Sequence, residues 1–505
     1  MNIRRLRLLV LVVFAVGLFR PLSNRFLVPA AAAPESRVFV SASGDPLGDD
    51  DKILQVTQNL LPATQIKGRS NAMTLADRMR YYKIPGVSIA VINNGGIEWA
   101  RGFGIKDAST NEPVTAETLF QAGSISKPVA ATAALRLVEE GKLDLNENVN
   151  DKLKSWKVPT NQFTEKTKVT PRELLSHTAG MTVHGFPGYS AGVPVPTLVQ
   201  VLDGVSPANT PAIRVDVEPG TIWRYSGGGY TVMQQLLIDL TGKPFPDILY
   251  QTVISKVGMP HSTYEQPLPR PLQSRAATAH SKGEPIKGRW HIYPEMAAAG
   301  LWTTPSDLAL FAIDIQRALA GDSSRVLSPS MARMMVTPVK NNYGLGFGIE
   351  GTGDSARFGH GGVDEGFESQ LTAYEKGGWG AVVMTNGSGG SALAQEVIRA
   401  IAKVYSWPGY PFIEKEALLV DPKGFNDYAG KYVLGQMTAT VWRDGDRLMA
   451  RGPDEMDTEF FAESGSWYFT RDEGPELKFN RDASGHVIGM TVRQYDRNFE
   501  FKRVQ

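Results

Sequence analysis

The sequence predicts a mixed fold of the α+β class, with helices packed on an antiparallel sheet, followed by a small all-β domain. A strand, turn and strand read from residues 85–104: Pro85-Gly86 opens the apolar run Val87 to Ile92, Asn93-Asn94-Gly95-Gly96 turns it, and Ile97 to Gly104 returns. A helical pattern over residues 119–141 follows this hairpin, which suggests helices lying on an antiparallel sheet instead of alternating with parallel strands. After Tyr428, short alternating runs (Thr438 to Trp442, Ser466 to Phe469, Met490 to Arg493) are separated by Asp444-Gly445 and Ser484-Gly485, the pattern of a small antiparallel sheet or barrel.

The chain has 505 residues, 42% of them hydrophobic, enough for a large core and two to four domains at roughly 150 residues each. Lys and Arg total 53 against 52 Asp and Glu, a net charge of +1, so the basic excess of a nucleic-acid-binding surface is absent and no nucleic-acid partner is expected. There is no cysteine, which removes disulfides, thiolate metal sites, cysteine nucleophiles and an acylated lipoprotein cysteine. The histidines are scattered without H-E-x-x-H or comparable spacing, so no metal is expected.

At the N-terminus, Arg4, Arg5 and Arg7 precede the apolar run Leu8 to Phe19, and small residues follow at Ala30 to Ala33. Twelve apolar residues are short of the roughly 20 that span a bilayer, so residues 1–33 read as a cleaved export signal, with an uncleaved membrane anchor as the alternative. The bulk of the protein is expected outside the cytoplasm, periplasmic or extracellular.

From about residue 50 the elements follow in order. Leu75 to Tyr82 has helical spacing and leads into the hairpin. In the helix expected from Ser124 to Gly141, Ala130, Ala133, Ala134, Leu137 and Val138 form one apolar face and Gly141 is a natural stop. Pro128 is tolerated only in a first turn, so this helix must start late or bend. Residues 171–219 combine a short helix, ending in Ser176-His177-Thr178-Ala179-Gly180, with a long proline- and glycine-rich stretch expected to wall a cleft. His177 and His184, in that region, read as structural hydrogen-bonders. A turn-forming glycine run, Gly227 to Gly229, feeds a helix with the face Val232, Met233, Leu236, Leu237 and Leu240, ending at Gly242. Tyr225 thus stands on a loop held by a rigid helix.

Thr304-Pro305-Ser306-Asp307 reads as a capping box opening a helix to Gly321. Residues 343–351 contain a formal G-x-G-x-x-G, but no helix follows, so they read as a glycine-rich strand and not a dinucleotide loop. Phe358 to Val363, Gln370 to Tyr374 and Ala381 to Met384 are sheet strands, closed by a helix from about Ala392 to Tyr405. The proline-rich residues 406–420 are a linker between a domain over 50–405 and a β domain over 421–505.

The chemistry centres on Ser124-Ile125-Ser126-Lys127. On a helix, Ser124 and Lys127 share a face, within reach of a proton transfer. On these four residues alone, a serine that starts a core helix is the simpler account. The rest of the chain changes the balance: Tyr225 lies 101 residues beyond Ser124, and His360-Gly361-Gly362 begins a further 135 on.

This three-part order resembles the serine β-lactamase and penicillin-binding protein superfamily, closest to the branch that holds class C β-lactamases, D-alanyl-D-alanine carboxypeptidases and related esterases. Leu174 to Met181, Tyr225-Ser226-Gly227 and Ala298 to Trp302 are similar to that branch as well, over roughly residues 50 to 405. The resemblance implies an antiparallel sheet flanked by helices with an all-helical insertion, and a small C-terminal β domain of the kind many of these hydrolases append. It further implies that Ser124 forms an acyl-enzyme on a small-molecule or peptide substrate, without a cofactor, while Lys127 takes its proton and Tyr225 passes it to the leaving group. His360 and Gly362 would belong to the substrate-binding third motif, and the backbone N–H groups of Ser124 and Val363 would form the oxyanion hole.

One departure bears on substrate. The second motif of that superfamily usually reads Tyr-x-Asn, and here Gly227 stands in place of the asparagine. The side-chain amide that would hold an amide carbonyl is missing, which favours an ester and makes efficient β-lactam turnover unexpected. D-amino-acid peptidase or weak β-lactamase activity is the alternative within this chemistry, and a non-catalytic penicillin-binding-like envelope protein is the alternative outside it.

Overall fold

The structure is a computed structural model describing residues 47–452, 456–464, 466–472, 474–494 and 497–504; the expected export segment lies outside them. The described chain forms two compact units. Among the described residues, the larger comprises 47–61 together with Ala72–Pro411, and the smaller comprises Pro62–Asn71 together with those from Phe412 to Val504.

The larger unit is built on a seven-stranded antiparallel sheet. Its strands are β1 (Gly86–Asn93), β2 (Gly96–Asp107), β3 (Glu112–Pro113), β4 (Gly348–Glu350), β5 (Arg357–Asp364), β6 (Phe367–Tyr374) and β7 (Gly380–Thr385). The spatial order is β3-β2-β1-β7-β6-β5-β4, so the two ends of the domain meet where β1 pairs with β7. These central strands are buried on both faces, as their near-continuous apolar sequences require. Helices Pro305–Ala320 and Gly390–Val404 pack on the sheet. The segment between β3 and β4 supplies a helical layer in which Ser126–Glu139, Gly227–Thr241 and Phe245–Leu249 share one core with the sheet. The expected α+β class is the observed one.

Several local readings are refined by packing. The helix after the hairpin begins at Ser126, behind a 3-10 turn over Gly123–Ile125. Pro128 is therefore its third residue, in the first turn, where backbone N–H groups have no helical acceptor and the missing donor costs nothing. Burial is not confined to one face: every residue from Ser126 to Leu135 is buried, because the helix lies inside the domain.

The glycine run is not a turn. Gly227, Gly228 and Gly229 form the first turn of the helix Gly227–Thr241, capped by Ser226, whose Oγ accepts the Gly229 N–H at 2.9 Å. Close packing is the reason for glycine here, since a Cβ on Gly228 would stand 2.5 Å from the Thr182 carbonyl oxygen. At Thr304 only half of the capping box forms. Thr304 Oγ1 accepts the Asp307 N–H at 3.2 Å, but the Asp307 carboxylate accepts instead from the His261 N–H at 2.8 Å and Ser262 Oγ at 2.7 Å. The glycine-rich stretch 343–351 is a strand only at Gly348–Glu350, and the long stretch after residue 180 contains a helix, Leu198–Asp203, behind a Thr197 capping box.

In the smaller unit, eight antiparallel strands from Gly430–Leu434 to Arg497–Val504 close into a barrel, the first pairing with the last. Tyr432, Leu448, Leu477 and Met490 fill it. The turns expected at Asp444-Gly445 and Ser484-Gly485 place both glycines at positive φ, +60° and +84°. Thr64–Ile66 belongs to this unit, pairing in parallel with Ile413–Lys415.

Candidate active site

Ser124 sits in the 3-10 turn that precedes the buried helix. The turn is pressed flat against β5. Gly123 has φ +51°, and a Cβ there would lie 2.4 Å from the Val363 nitrogen; a Cβ on Gly362 would lie 1.9 Å from the Ala122 carbonyl oxygen. Only glycine permits this approach of two backbones. Ser126, the other hydroxyl of the motif, is structural: its Oγ donates to the Gly123 carbonyl at 2.6 Å and accepts the Leu301 N–H at 3.0 Å.

Lys127 is 2% exposed, and its Nζ lies 2.8 Å from both Ser124 Oγ and the Ala298 carbonyl oxygen. Burial penalises the ammonium and brings its pKa down from 10.5 to about 7, against the opposing attraction of Asp364. A neutral amine has two protons and one lone pair. The Ala298 carbonyl takes one proton, and the lone pair is free to accept from the Ser124 hydroxyl.

Tyr225 precedes the capped helix, so its position is set by Ser226. The Ser226 N–H donates to His177 Nδ1 at 3.1 Å and Ser226 Oγ donates to the Thr182 carbonyl at 2.8 Å. The Tyr225 ring packs between histidines, with centroids 4.2 Å from His177 and 4.9 Å from His184, and Lys127 Nζ lies 4.9 Å from its centre. Its hydroxyl hydrogen-bonds Ser124, and burial pushes the phenol above its ordinary value, so it stays protonated at neutral pH. His177 is buried and makes the structural hydrogen bond expected of it.

His360, on β5, is half-buried, with Nδ1 facing the Gly361 carbonyl and Nε2 facing the Tyr343 hydroxyl at 3.1 Å. Burial and then the Lys127 charge push its pKa down to about 3, so the ring is neutral and carries one proton. A carbonyl can only accept, which assigns that proton to Nδ1 and leaves Nε2 as an acceptor beside the Tyr343 hydroxyl, whose single proton also has the Gly346 carbonyl within reach at 3.1 Å. Val363 is 61% exposed, so its side chain lies at the surface although its nitrogen lies against Gly123.

The structure brings Ser124, Lys127, Tyr225, His360, Gly362 and Val363 into one place. It adds Tyr343, the Ala298 carbonyl and two buried carboxyls, Asp364 and Glu295. Among the described residues neither carboxyl has a well-formed hydrogen bond, although the Gly123 N–H lies close to Asp364. Burial raises Glu295 to about 8 and Asp364 well above the carboxylate range. Asp364 carried a signal in sequence only as the polar end of a strand, and Glu295 only through its closeness to the Ala298 to Trp302 run.

An antiparallel sheet covered by helices, with Ser-x-x-Lys opening the buried helix and a tyrosine opposite, is the arrangement of the serine β-lactamase and penicillin-binding protein superfamily. The chain belongs to the family described as Beta-lactamase, whose model matches residues 72–406; members of that family are serine acyl-transferring hydrolases. The penicillin-binding protein 4 of Amycolatopsis lactamdurans is 26% identical over 338 residues, 63% of this chain and 85% of that protein. Solved structures that share the fold include the following two. An octameric penicillin-binding protein homologue from Pyrococcus abyssi aligns with a TM-score of 0.58 at 22% identity, over 85% of this chain and 98% of that one. A D-alanine carboxypeptidase from Burkholderia cenocepacia aligns with a TM-score of 0.53 at 19% identity, over 70% and 100%.

Proposed function

We propose that the protein is an exported serine hydrolase that cleaves an ester through an acyl-enzyme on Ser124. The observation that carries this is the buried Lys127 amine, 2.8 Å from Ser124 Oγ and with its pKa brought down to about 7. A serine hydroxyl is a weak nucleophile without a neighbouring base, and a lysine is such a base only when neutral.

In the reaction, Ser124 Oγ bonds to the substrate carbonyl carbon as its proton moves to Lys127. The negative oxygen is held by the backbone N–H groups of Ser124 and Val363, a contribution worth about 2.7–4 kcal/mol per donor. The carbon–oxygen bond to the leaving group then breaks. Tyr225, still protonated, gives its proton to the departing oxygen and recovers one from Lys127. Water releases the acyl group by the same steps in reverse. An ester is preferred because Gly227 offers no side-chain amide to hold the carbonyl of an amide substrate. A D-amino-acid peptidase is the second reading, supported by the D-alanine carboxypeptidase among its structural relatives.

The test compares a nitrophenyl ester, a D-Ala-D-Ala peptide and a chromogenic cephalosporin on wild type and Ser124→Ala. Ester turnover that disappears in the variant supports the proposal. Peptide turnover above ester turnover selects the second reading, and ester turnover that survives the substitution sinks both. Export is checked separately by N-terminal sequencing of the mature protein after secretion.

A further inference from the structure

One wall of the site takes no part in the steps above. A Cβ on Gly227 would meet the Phe186 ring at 3.0 Å and the His184 carbonyl oxygen at 3.1 Å, so the segment Thr182–Phe186 occupies the space beside Tyr225. That segment is fastened to the first turn of the helix Gly227–Thr241. The Gly227 N–H donates to the His184 carbonyl at 2.9 Å and the Gly228 N–H donates to the Val183 carbonyl at 3.0 Å. Val183 has φ +62°, a left-handed conformation that a β-branched residue avoids. Strain of this kind persists where surrounding contacts enforce it, and it clusters at ligand-contacting positions.

The residue this backbone presents is His184. Its ring packs at a tilt against Tyr225, with centroids 4.9 Å apart, yet unlike His177 it is exposed, so it is open to an incoming molecule. Desolvation and the Lys127 charge favour the neutral imidazole. A neutral imidazole has one N–H and one lone pair, and the N–H is directed at the backbone of Tyr225. The other nitrogen is then an acceptor. This polarity is opposite to that of a side-chain N–H that binds a carbonyl.

We propose that His184 contacts the substrate as a hydrogen-bond acceptor and selects acyl groups that carry an N–H or O–H donor close to the scissile carbonyl. The proposal rests on the reading of Ser124 as the nucleophile.

The experiment is covalent labelling by two nitrophenyl phosphonates that differ only on the acyl side, one with a plain alkyl chain and one with an acylamino N–H. Second-order labelling rates are measured for wild type, His184→Ala and His184→Leu; the leucine variant provides the same comparison should the alanine variant be unstable. Wild type is expected to prefer the acylamino probe by about tenfold, the effect of one hydrogen bond. Both variants are expected to bring the ratio close to one, through the binding step. A ratio near one in wild type, or a preference that survives in a variant, overturns the role of His184 and leaves the nucleophile standing. Labelling that persists in Ser124→Ala, or no labelling of wild type, overturns the nucleophile and this proposal together.

Discussion

The two units bury different things. Around Ser124 the larger unit encloses a lysine, two carboxyls and a histidine: the Lys127 charge acts on Asp364 and on His177, and the Glu295 charge acts on Asp364, with burial driving Lys127 down and Glu295 and Asp364 up. The barrel unit has an apolar core of Tyr432, Leu448, Leu477 and Met490 with Tyr428 stacked on Phe479 at 4.0 Å. Its ion pairs lie nearer the surface, such as Lys415 between Glu463 at 2.9 Å and Glu476 at 2.6 Å. Enclosing ionisable groups costs stability, and a fold keeps them where a shifted pKa does chemistry. The difference assigns the chemistry to the larger unit, and substitutions in the two units can break or sharpen that assignment.

The largest effect is expected at the nucleophile. Ser124→Ala should lower kcat by roughly 10⁵–10⁶, the loss seen when one member of a catalytic set is removed. Ser124 is only partly buried, so the melting temperature should hardly move; a variant that loses activity by unfolding would leave the comparison unsupported. Lys127 comes next. Lys127→Met should cost about 10²–10⁴ as the base is lost, and it should raise thermal stability, because a desolvated amine is replaced by an apolar side chain of similar length. The sign of the pH dependence follows from the direction of the shift. The active form is the neutral amine, so kcat/KM should be low well below pH 7, rise through about 7 and level off above it. A rise near the ordinary lysine value of 10.5 would mean that burial does not act as described.

How far this contrast was legible depends on the range over which residues act. Ser124 and Lys127 are one helical turn apart, so their partnership is written locally, and Tyr225 and His360 stood out because each sits in a short motif beside glycines. The hairpin of β1 and β2 and the barrel strands were readable for the same reason: alternation and turn residues are nearest-neighbour signals. Asp364 and Glu295 were not readable, since nothing near them in sequence reports that the fold will enclose both, Asp364 within reach of the Lys127 charge and Glu295 within reach of Asp364. The helical state of Gly227–Gly229 was hidden too. Glycine usually marks a turn, and here it marks the approach of Thr182, contributed by another loop. Thr64–Ile66 is a three-residue strand, too short to show a period of its own, and its partner Ile413–Lys415 lies at the far end of the chain.

A cavity in the barrel offers the next test. Leu448 is fully buried, and Leu448→Ala should cost about 2–5 kcal/mol. If chemistry resides in the larger unit alone, kcat for a small nitrophenyl ester should be unchanged at temperatures where the variant is folded. A fall in kcat would show that the barrel contributes to the reaction.

Paired glycine substitutions give the smallest and finest comparison, because Gly228 and Gly445 are glycine for different reasons. At Gly228 an added methyl would stand 2.5 Å from the Thr182 carbonyl oxygen and 3.0 Å from Ile213 Cγ2. A backbone oxygen cannot swing aside, so the segment carrying His184 must move, at a cost of about 1–3 kcal/mol for overpacking. Gly228→Ala should therefore lower kcat/KM as well as stability. At Gly445, in the barrel turn, nothing lies within 4 Å of the added methyl, but φ is +60°. Only conformational strain opposes Gly445→Ala, roughly 1–2 kcal/mol, and activity should be untouched. Equal effects of the two substitutions on kcat/KM would mean that the segment beside Tyr225 is not held in place by the Gly228 contact. A loss confined to Gly228→Ala would tie the tight packing of the larger unit to the geometry around Ser124.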